Sequence, residues 1–353
     1  VTPDPPPASH PRPNGDWRIY HGDGQPRVAA ALADRLPDPP PWRKFDGGPL
    51  QPPPPADDGD ASRRLGAAGQ AAAVADPHEV EMVNAALLLR RPLLVTGRPG
   101  IGKSTLAHRV ARELGLGRVL RWNITSRTTM RSGLYDYDAI GRAQASAAHR
   151  AGTAADGAVD PVDIGQFIQL GALGTALLPY ELPRVLLVDE LDKSDLDLPN
   201  DLLHVFEEGE FSIPELARIR DRAPAVGVYT DDPDRQATVV GGRVRASAFP
   251  FVVITSNGER EFPAAFLRRC LRVRLSTPDE AQLAAMVAAH FRDAGAAHEA
   301  LVRQFVERSR MGSGLAADQL LNAVYLATSG SFQFDRETGQ RVLDAVWQEL
   351  SGS

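Results

Sequence analysis

The sequence predicts an α/β domain built on a parallel five-stranded sheet and followed by a small all-α domain. Three observations predict this class. From about Pro77 short apolar segments alternate with helix-length segments, the pattern of repeated strand–helix units. Val185–Val188 and Phe251–Ile254 are continuous apolar runs, as expected of strands covered on both faces. After Ser276 the strand-like runs stop and only helical spacing remains.

Each element follows from its own residues. Strands are expected at Pro92–Thr96, Arg118–Trp122, Arg184–Val188, Phe251–Thr255 and Leu271–Leu275, and helices at Pro77–Leu89, Lys103–Leu114 and Pro199–Glu208. Two segments do not fit a bare sheet. Arg142–Asp160 is rich in Ala and Gly and reads as a mobile insertion, while Val226–Ala248 holds two β-prone runs around a polar turn, a projecting hairpin. Thr277-Pro278-Asp279-Glu280 reads as a helix start, with Pro at the first helical position and Glu at the capping-box position. Leu283, Met286, Val287 and His290 then recur at helical spacing, and further helices fit Glu299–Ser309, Asp318–Ala327 and Arg341–Leu350.

Before residue 60 the composition changes. More than half of the 29 prolines lie there, so residues 1–60 are expected to be a largely disordered, PPII-like arm. One aromatic island, Asp16–Gly22, interrupts it, with Trp42 and Phe45 further on; it can pack locally, on the body of the protein or on a neighbouring subunit. The expected organisation is thus an arm (1–60), an α/β domain (61–276) with inserts near 126–165 and 226–248, and a helical domain (277–353).

The chemistry is concentrated at the strand ends. Gly97-Arg98-Pro99-Gly100-Ile101-Gly102-Lys103-Ser104 matches G-x-x-x-x-G-K-[ST] at every required position, with Thr105 next in line. Glycines let backbone N–H groups turn toward phosphate oxygens, and a helix N-terminus adds positive potential. Lys103 can reach the terminal phosphates and the Ser104 hydroxyl can ligate Mg²⁺. Asp189 and Glu190 end an apolar strand; the first can hold the Mg²⁺ water shell and the second can polarise an attacking water. Asn257 follows another buried strand and can orient water or sense the γ-phosphate. Arg268 and Arg269, in FPAAFLRRC, are either solvated charges or groups reaching a neighbour's γ-phosphate.

Composition excludes other classes. A net charge of -6, without a basic stretch interleaved with aromatics, argues against a nucleic-acid motor. No apolar run approaches a membrane-spanning length of roughly 20 residues. One cysteine, Cys270, precludes an intrachain disulfide framework, so a cytoplasmic location is expected. Asp192-Lys193-Ser194-Asp195 lacks the Asn of a guanine-specifying N-K-x-D.

The segments GRPGIGKST, VLLVDELDKSD, LPNDLLHVFEEGEF and TSNGEREFPAAFLRRC together resemble the AAA+ ATPases, and within them the MoxR-like branch, from roughly Pro77 onward. The resemblance implies a P-loop α/β core with a helical lid, and ATP with Mg²⁺ bound between subunits of a ring, commonly a hexamer. It assigns Lys103 to Walker A, Asp189 and Glu190 to Walker B, and Asn257 to sensor 1. Pro263–Arg269 aligns with the pattern that carries the arginine finger, making Arg269 the finger and Arg268 the alternate. Asn123 falls where the superfamily often keeps a polar residue that restrains the catalytic glutamate. Ser313–Asp318 lacks the sensor 2 arginine that usually begins a lid helix. Relatives in this branch remodel protein clients, often with von Willebrand factor A-domain partners, and the arm resembles versions found in bacterial conflict systems. The alternative is a nucleotide-gated switch or scaffold with little turnover.

Overall fold

The computed structural model describes residues 17–27, 29–57, 59–67, 75–152, 163–291, 296–311, 315–328 and 337–347. In chain order the strands are β1 (Leu93–Thr96), β2 (Leu120–Asn123), β3 (Tyr135–Tyr137), β4 (Ile168–Leu170), β5 (Val185–Asp189) and β6 (Glu210–Ser212). They continue with β7 (Ala225–Tyr229), β8 (Gln236–Val240), β9 (Arg243–Arg245), β10 (Phe251–Ser256) and β11 (Leu271–Arg274).

Five of them form the expected parallel sheet, in the order β11-β1-β10-β5-β2. Successive side chains of a strand point to opposite faces, and here both faces are dry. Val185, Leu187, Phe251 and Val253 enter one apolar cluster with Leu106 and Val110 of the helix Thr105–Leu114. Leu186, Val188, Val252 and Ile254 enter the other. That double burial explains the unbroken apolar runs. β2, at the edge, instead alternates: Leu120 and Trp122 are buried, Arg121 and Asn123 exposed.

The inserts depart from expectation. Rather than projecting separately, they combine in a second sheet, ordered β3-β4-β7-β8-β9-β6, that shares a core cluster with the first. β7 and β8 do form an antiparallel hairpin, with Val226 opposite Val239. Yet Val226, Val228, Ala237 and Val239 are buried, while Tyr229 and Val240 alternate outward. The turn is anchored too. The fully buried Arg184 donates to both carboxylate oxygens of Asp232, at 2.7 and 2.9 Å, and at 3.1 Å to the Tyr180 hydroxyl. Residues 142–152 of the expected mobile insertion belong to a helix, Ala139–Gly152; positions 153–160 lie outside the described residues.

The expectation of a largely disordered arm also fails for residues 17–27 and 29–57. Ile19 and Tyr20 are buried against the α/β core. Asn84, on the helix Pro77–Leu89, accepts the Ile19 and Tyr20 N–H groups at 2.6 and 3.0 Å and donates to the Tyr20 carbonyl at 2.7 Å. One amide thereby acts as the hydrogen-bonding partner that a neighbouring strand would supply. Further on, Arg43 donates to the Phe206 and Arg90 carbonyls and lies over the Phe249 ring, 4.5 Å from its centroid; Phe45 stacks on the same ring. A few anchors suffice here because prolines already restrict the unfolded chain. Positions 1–16 lie outside the described residues.

Among the described residues four helices follow β11: Glu280–His290, Ala296–Met311, Ala317–Thr328 and Glu337–Val346. They enclose Phe305, Leu320 and Trp347, with Phe305 and Trp347 edge to face at 5.7 Å. Asp279, not Thr277, caps the first lid helix, and Gln282 completes the box. Among the described residues no helix is long and apolar enough to cross a membrane.

Asn84→Ala leaves three buried backbone groups of the docked segment unpaired. Stability should fall by about 3 kcal/mol, on the scale of 1–3 kcal/mol for each unmet buried group partly offset by relaxation. Urea unfolding measures this; an unchanged midpoint would contradict the docking.

Candidate active site

The parallel sheet puts the carboxyl ends of β1, β5 and β10 side by side, and the sequence-predicted residues sit on the turns that leave them. After β1 the chain enters the loop Gly97–Ser104, in which Gly97, Gly100 and Gly102 have φ of 150°, 74° and 88°. These are conformations that a side chain would strain. Gly100 has a second reason. A Cβ there would lie 2.3 Å from Cβ of Ala316 in the lid, whose next residue, Ala317, donates its N–H to the Gly100 carbonyl at 3.0 Å. The loop is therefore shaped both for an anion and for the lid.

Lys103 folds back over the loop. Its Nζ donates to the Gly97 and Arg98 carbonyls, both at 2.9 Å, and to Asn257 Oδ1 at 2.7 Å. Burial lowers its pKa, against the opposing pull of Asp192, Glu190 and Asp189. Asp189, at the end of β5, collects three donors: Ser104 Oγ at 2.6 Å and Thr255 Oγ1 at 2.8 Å on one oxygen, and Arg121 Nη2 at 2.8 Å on the other. Burial opposes ionisation, but those three bonds outweigh it and hold the carboxyl below the usual carboxylate range.

Glu190 has φ of 62°, and its N–H donates to Thr255 Oγ1 at 2.8 Å. Thr255 thus fixes both acids. The Glu190 side chain is partly exposed and ion-paired with Lys193 at 2.8 Å. Asn123 lies opposite Asp189 in the β2–β5 register, with its side chain exposed. Asn257 is set by Asp192, whose buried carboxylate accepts the N–H groups of Asn257 and Glu259 at 2.9 and 3.1 Å.

A cavity of about 600 Å³ opens over these groups, bounded by Gly100–Thr105, Asp189, Glu190 and Asn257. Its other walls come from outside the α/β motifs. Tyr20, Gly22 and Gly24 of the docked N-terminal segment line it, as do Arg64 and Leu65, and lid residues including Met286, His290 and Asp318. Where a sensor 2 arginine would begin a lid helix, Ala317 and Asp318 face the cavity. The donor set suits Mg²⁺. A hydroxyl and a carboxylate meet at 2.6 Å, and no cluster of three or more His, Cys, Asp or Glu side chains occurs among the described residues. That is the sparse oxygen set of an ion whose remaining ligands are water and phosphate.

The two arginines are not part of this constellation. Arg269 Nε donates to Glu207 at 2.6 Å and its Nη1 to the Ala265 carbonyl at 3.3 Å. Arg268 is exposed beside it. Residues that the motifs did not flag are Thr255, Arg121 and Asp192 in its supporting role. Thr255 carried a readable signal, a hydroxyl at the end of a buried strand two residues before Asn257.

His108 lies on the helix that leaves the loop, 1% exposed, with neither ring nitrogen hydrogen-bonded. Asp60 stands 3.6 Å away, which alone would favour the charged ring. Burial and the Arg64 guanidinium prevail over Asp60 and Asp57, and push its pKa down to about 4. The unfolded chain therefore takes up this proton near pH 6.5 and the folded one not until about 4. Stability should fall as pH drops through that window, by about 3 kcal/mol from this group. Urea unfolding at pH 7 and pH 4 should lose that component in His108→Gln; equal pH dependence in both proteins would contradict it.

The family model for the AAA domain (dynein-related subfamily) matches residues 92–272, just over half of the chain. No curated protein matches it. Similar solved structures include three of RuvB from Thermotoga maritima, one described as a Holliday junction branch migration motor and two as single-residue variants. Each is 15% identical over 76% of this chain, with TM-scores of 0.37, 0.35 and 0.34. The chain spans 65%, 65% and 67% of their lengths. The phosphate-loop geometry, the five-stranded sheet and the family match agree: the chain belongs to the AAA domain family, dynein-related subfamily, and has an AAA+ P-loop core.

Proposed function

We propose that this protein binds and hydrolyses ATP at the cavity between its α/β core and its lid, and that it uses the cycle to remodel protein partners. The observation that carries the proposal is the convergence of Lys103, Ser104, Asp189, Glu190 and Asn257 on one cavity from three separate strand ends.

The loop from Gly97 to Thr105 wraps the phosphates with backbone N–H groups, with Lys103 turning from its carbonyl partners to the terminal phosphates. Ser104 and Asp189 would hold Mg²⁺, which neutralises phosphate charge when bound. Glu190 polarises the attacking water after leaving Lys193, an exposed pair of the kind worth at most about 1 kcal/mol. Asn257, already bonded to Lys103, reports the state of the γ-phosphate. Arg269 in trans completes the neighbour's site, with Arg268 as the alternate. Its Glu207 pair is likewise half exposed and weak enough to exchange. This reading takes the protein to be a MoxR-like, ATP-dependent hexameric ring, with a von Willebrand factor A-domain protein or another protein client as partner and no role for nucleic acid or membrane.

A second reading, a nucleotide-gated switch with little turnover, is favoured by Asp318 at the lid position where an arginine is expected and by the Lys193 pair holding Glu190.

Phosphate release and fluorescent-nucleotide binding distinguish the two. Under the first reading, Glu190→Gln loses turnover by about 100-fold or more, as expected for a group acting on the attacking water, while binding persists; Lys103→Ala loses both. Identical residual turnover in wild type and Glu190→Gln would establish the switch. Native mass spectrometry with a non-hydrolysable analogue should show a closed ring, and a single chain at saturation would refute assembly.

A further inference from the structure

Several cations line the cavity besides Lys103, namely Arg64, Arg109, Arg112 and Arg121, and of these Arg121 is the one ion-paired with Asp189. Arg121 lies on β2, the edge strand of the central sheet. Leu120 and Trp122 face the core, so the pleat turns Arg121 the other way, toward the phosphate loop. It lines the cavity with Lys103 and Ser104. Its Nη2 is 2.8 Å from Asp189 Oδ2, while Ser104 Oγ is 2.6 Å from Asp189 Oδ1. The carboxylate that the proposed site offers to Mg²⁺ is therefore already neutralised by an internal cation. With no strand beyond it among the described residues, and with its side chain 36% exposed, Arg121 has room to leave.

We propose that Arg121 is a positioning residue that competes with Mg²⁺ for Asp189, so that loading the site is an exchange of one cation for another. The inference rests on the reading of this cavity as a Mg²⁺–nucleotide site. With metal absent, Arg121 keeps Asp189 from repelling phosphate, because an unpaired carboxylate buried beside Ser104 would set its charge against the incoming anion. With metal present, Arg121 moves off the carboxylate, and its charge remains within the same cavity for the phosphate chain. Arg121 thereby raises the Mg²⁺ concentration needed to load the site and supports nucleotide binding without metal. A purely structural ion pair would do neither.

The test titrates Mg²⁺ against binding of N-methylanthraniloyl-ATP, followed by fluorescence, with a parallel measurement in EDTA. It compares wild type with Arg121→Gln, Arg121→Thr, which suits an edge strand, and Arg121→Lys. Removing the charge should lower the Mg²⁺ midpoint about 3- to 10-fold and weaken binding in EDTA several-fold, the effect expected of one partly exposed charge pair. Arg121→Lys should stay within about twofold of wild type, because it keeps the charge. A midpoint unchanged or raised in whichever of the Gln and Thr variants melts like wild type overturns the inference. Failure of the wild type to bind the probe with or without metal overturns instead the reading of the cavity.

Discussion

The Asp189 carboxylate is the point on which the site depends. It ends a strand buried along its whole length, all five residues of β5, so its position is set by core packing and not by a mobile loop. Three elements then meet on it: Ser104 from the end of the phosphate loop, Thr255 from β10 and Arg121 from β2. A carboxylate this far from water must be paired to stay ionised. Satisfying it draws the loop, the two strands and the acid into one arrangement. Thr255 extends the same constraint to Glu190 through its backbone N–H, which is how a glutamate is held at a positive φ.

The cavity above that carboxylate is completed from opposite ends of the chain. Residues near Tyr20 and Arg64 close one side and the lid the other, although the family match covers neither region. These two walls also touch each other: the N–H of Ala67 donates to the carbonyl of Ala289 in the first lid helix at 2.9 Å. The lid reaches the phosphate loop separately, through Ala317 and Gly100. A displacement of the lid would therefore be felt at the loop and at the Arg64–Ala67 stretch together. This gives a physical route from nucleotide occupancy to movement of large elements.

Much of this was legible in the sequence, for identifiable reasons. Strands buried on both faces, such as β5 and β10, announce themselves as apolar runs, and the phosphate loop has fixed spacing. Motif spacing also located Lys103, Ser104, Asp189, Glu190 and Asn257, which the fold brings together. What escaped was long-range pairing. Nothing local to Asn84 marks it as the partner of Ile19 and Tyr20, 64 or 65 positions away. Arg121 and Asp189 are likewise 68 positions apart. The inserts were recognisable as β-prone, but their union in a second sheet depends on contacts between segments that alternate burial only once paired. Proline content misled in the same way, because it describes the chain's stiffness and not its anchors.

In the proposed function a nucleoside triphosphate is held at the junction of the phosphate loop, the end of β5 and the turn after β10. Hydrogen–deuterium exchange with and without a non-hydrolysable ATP analogue and Mg²⁺ tests it most directly. Slowed exchange should appear in the peptides spanning residues 97–105, 189–193 and 255–259, and in the lid segment around residues 315–318. Protection confined to other regions, with these peptides unchanged at saturating analogue, would contradict it.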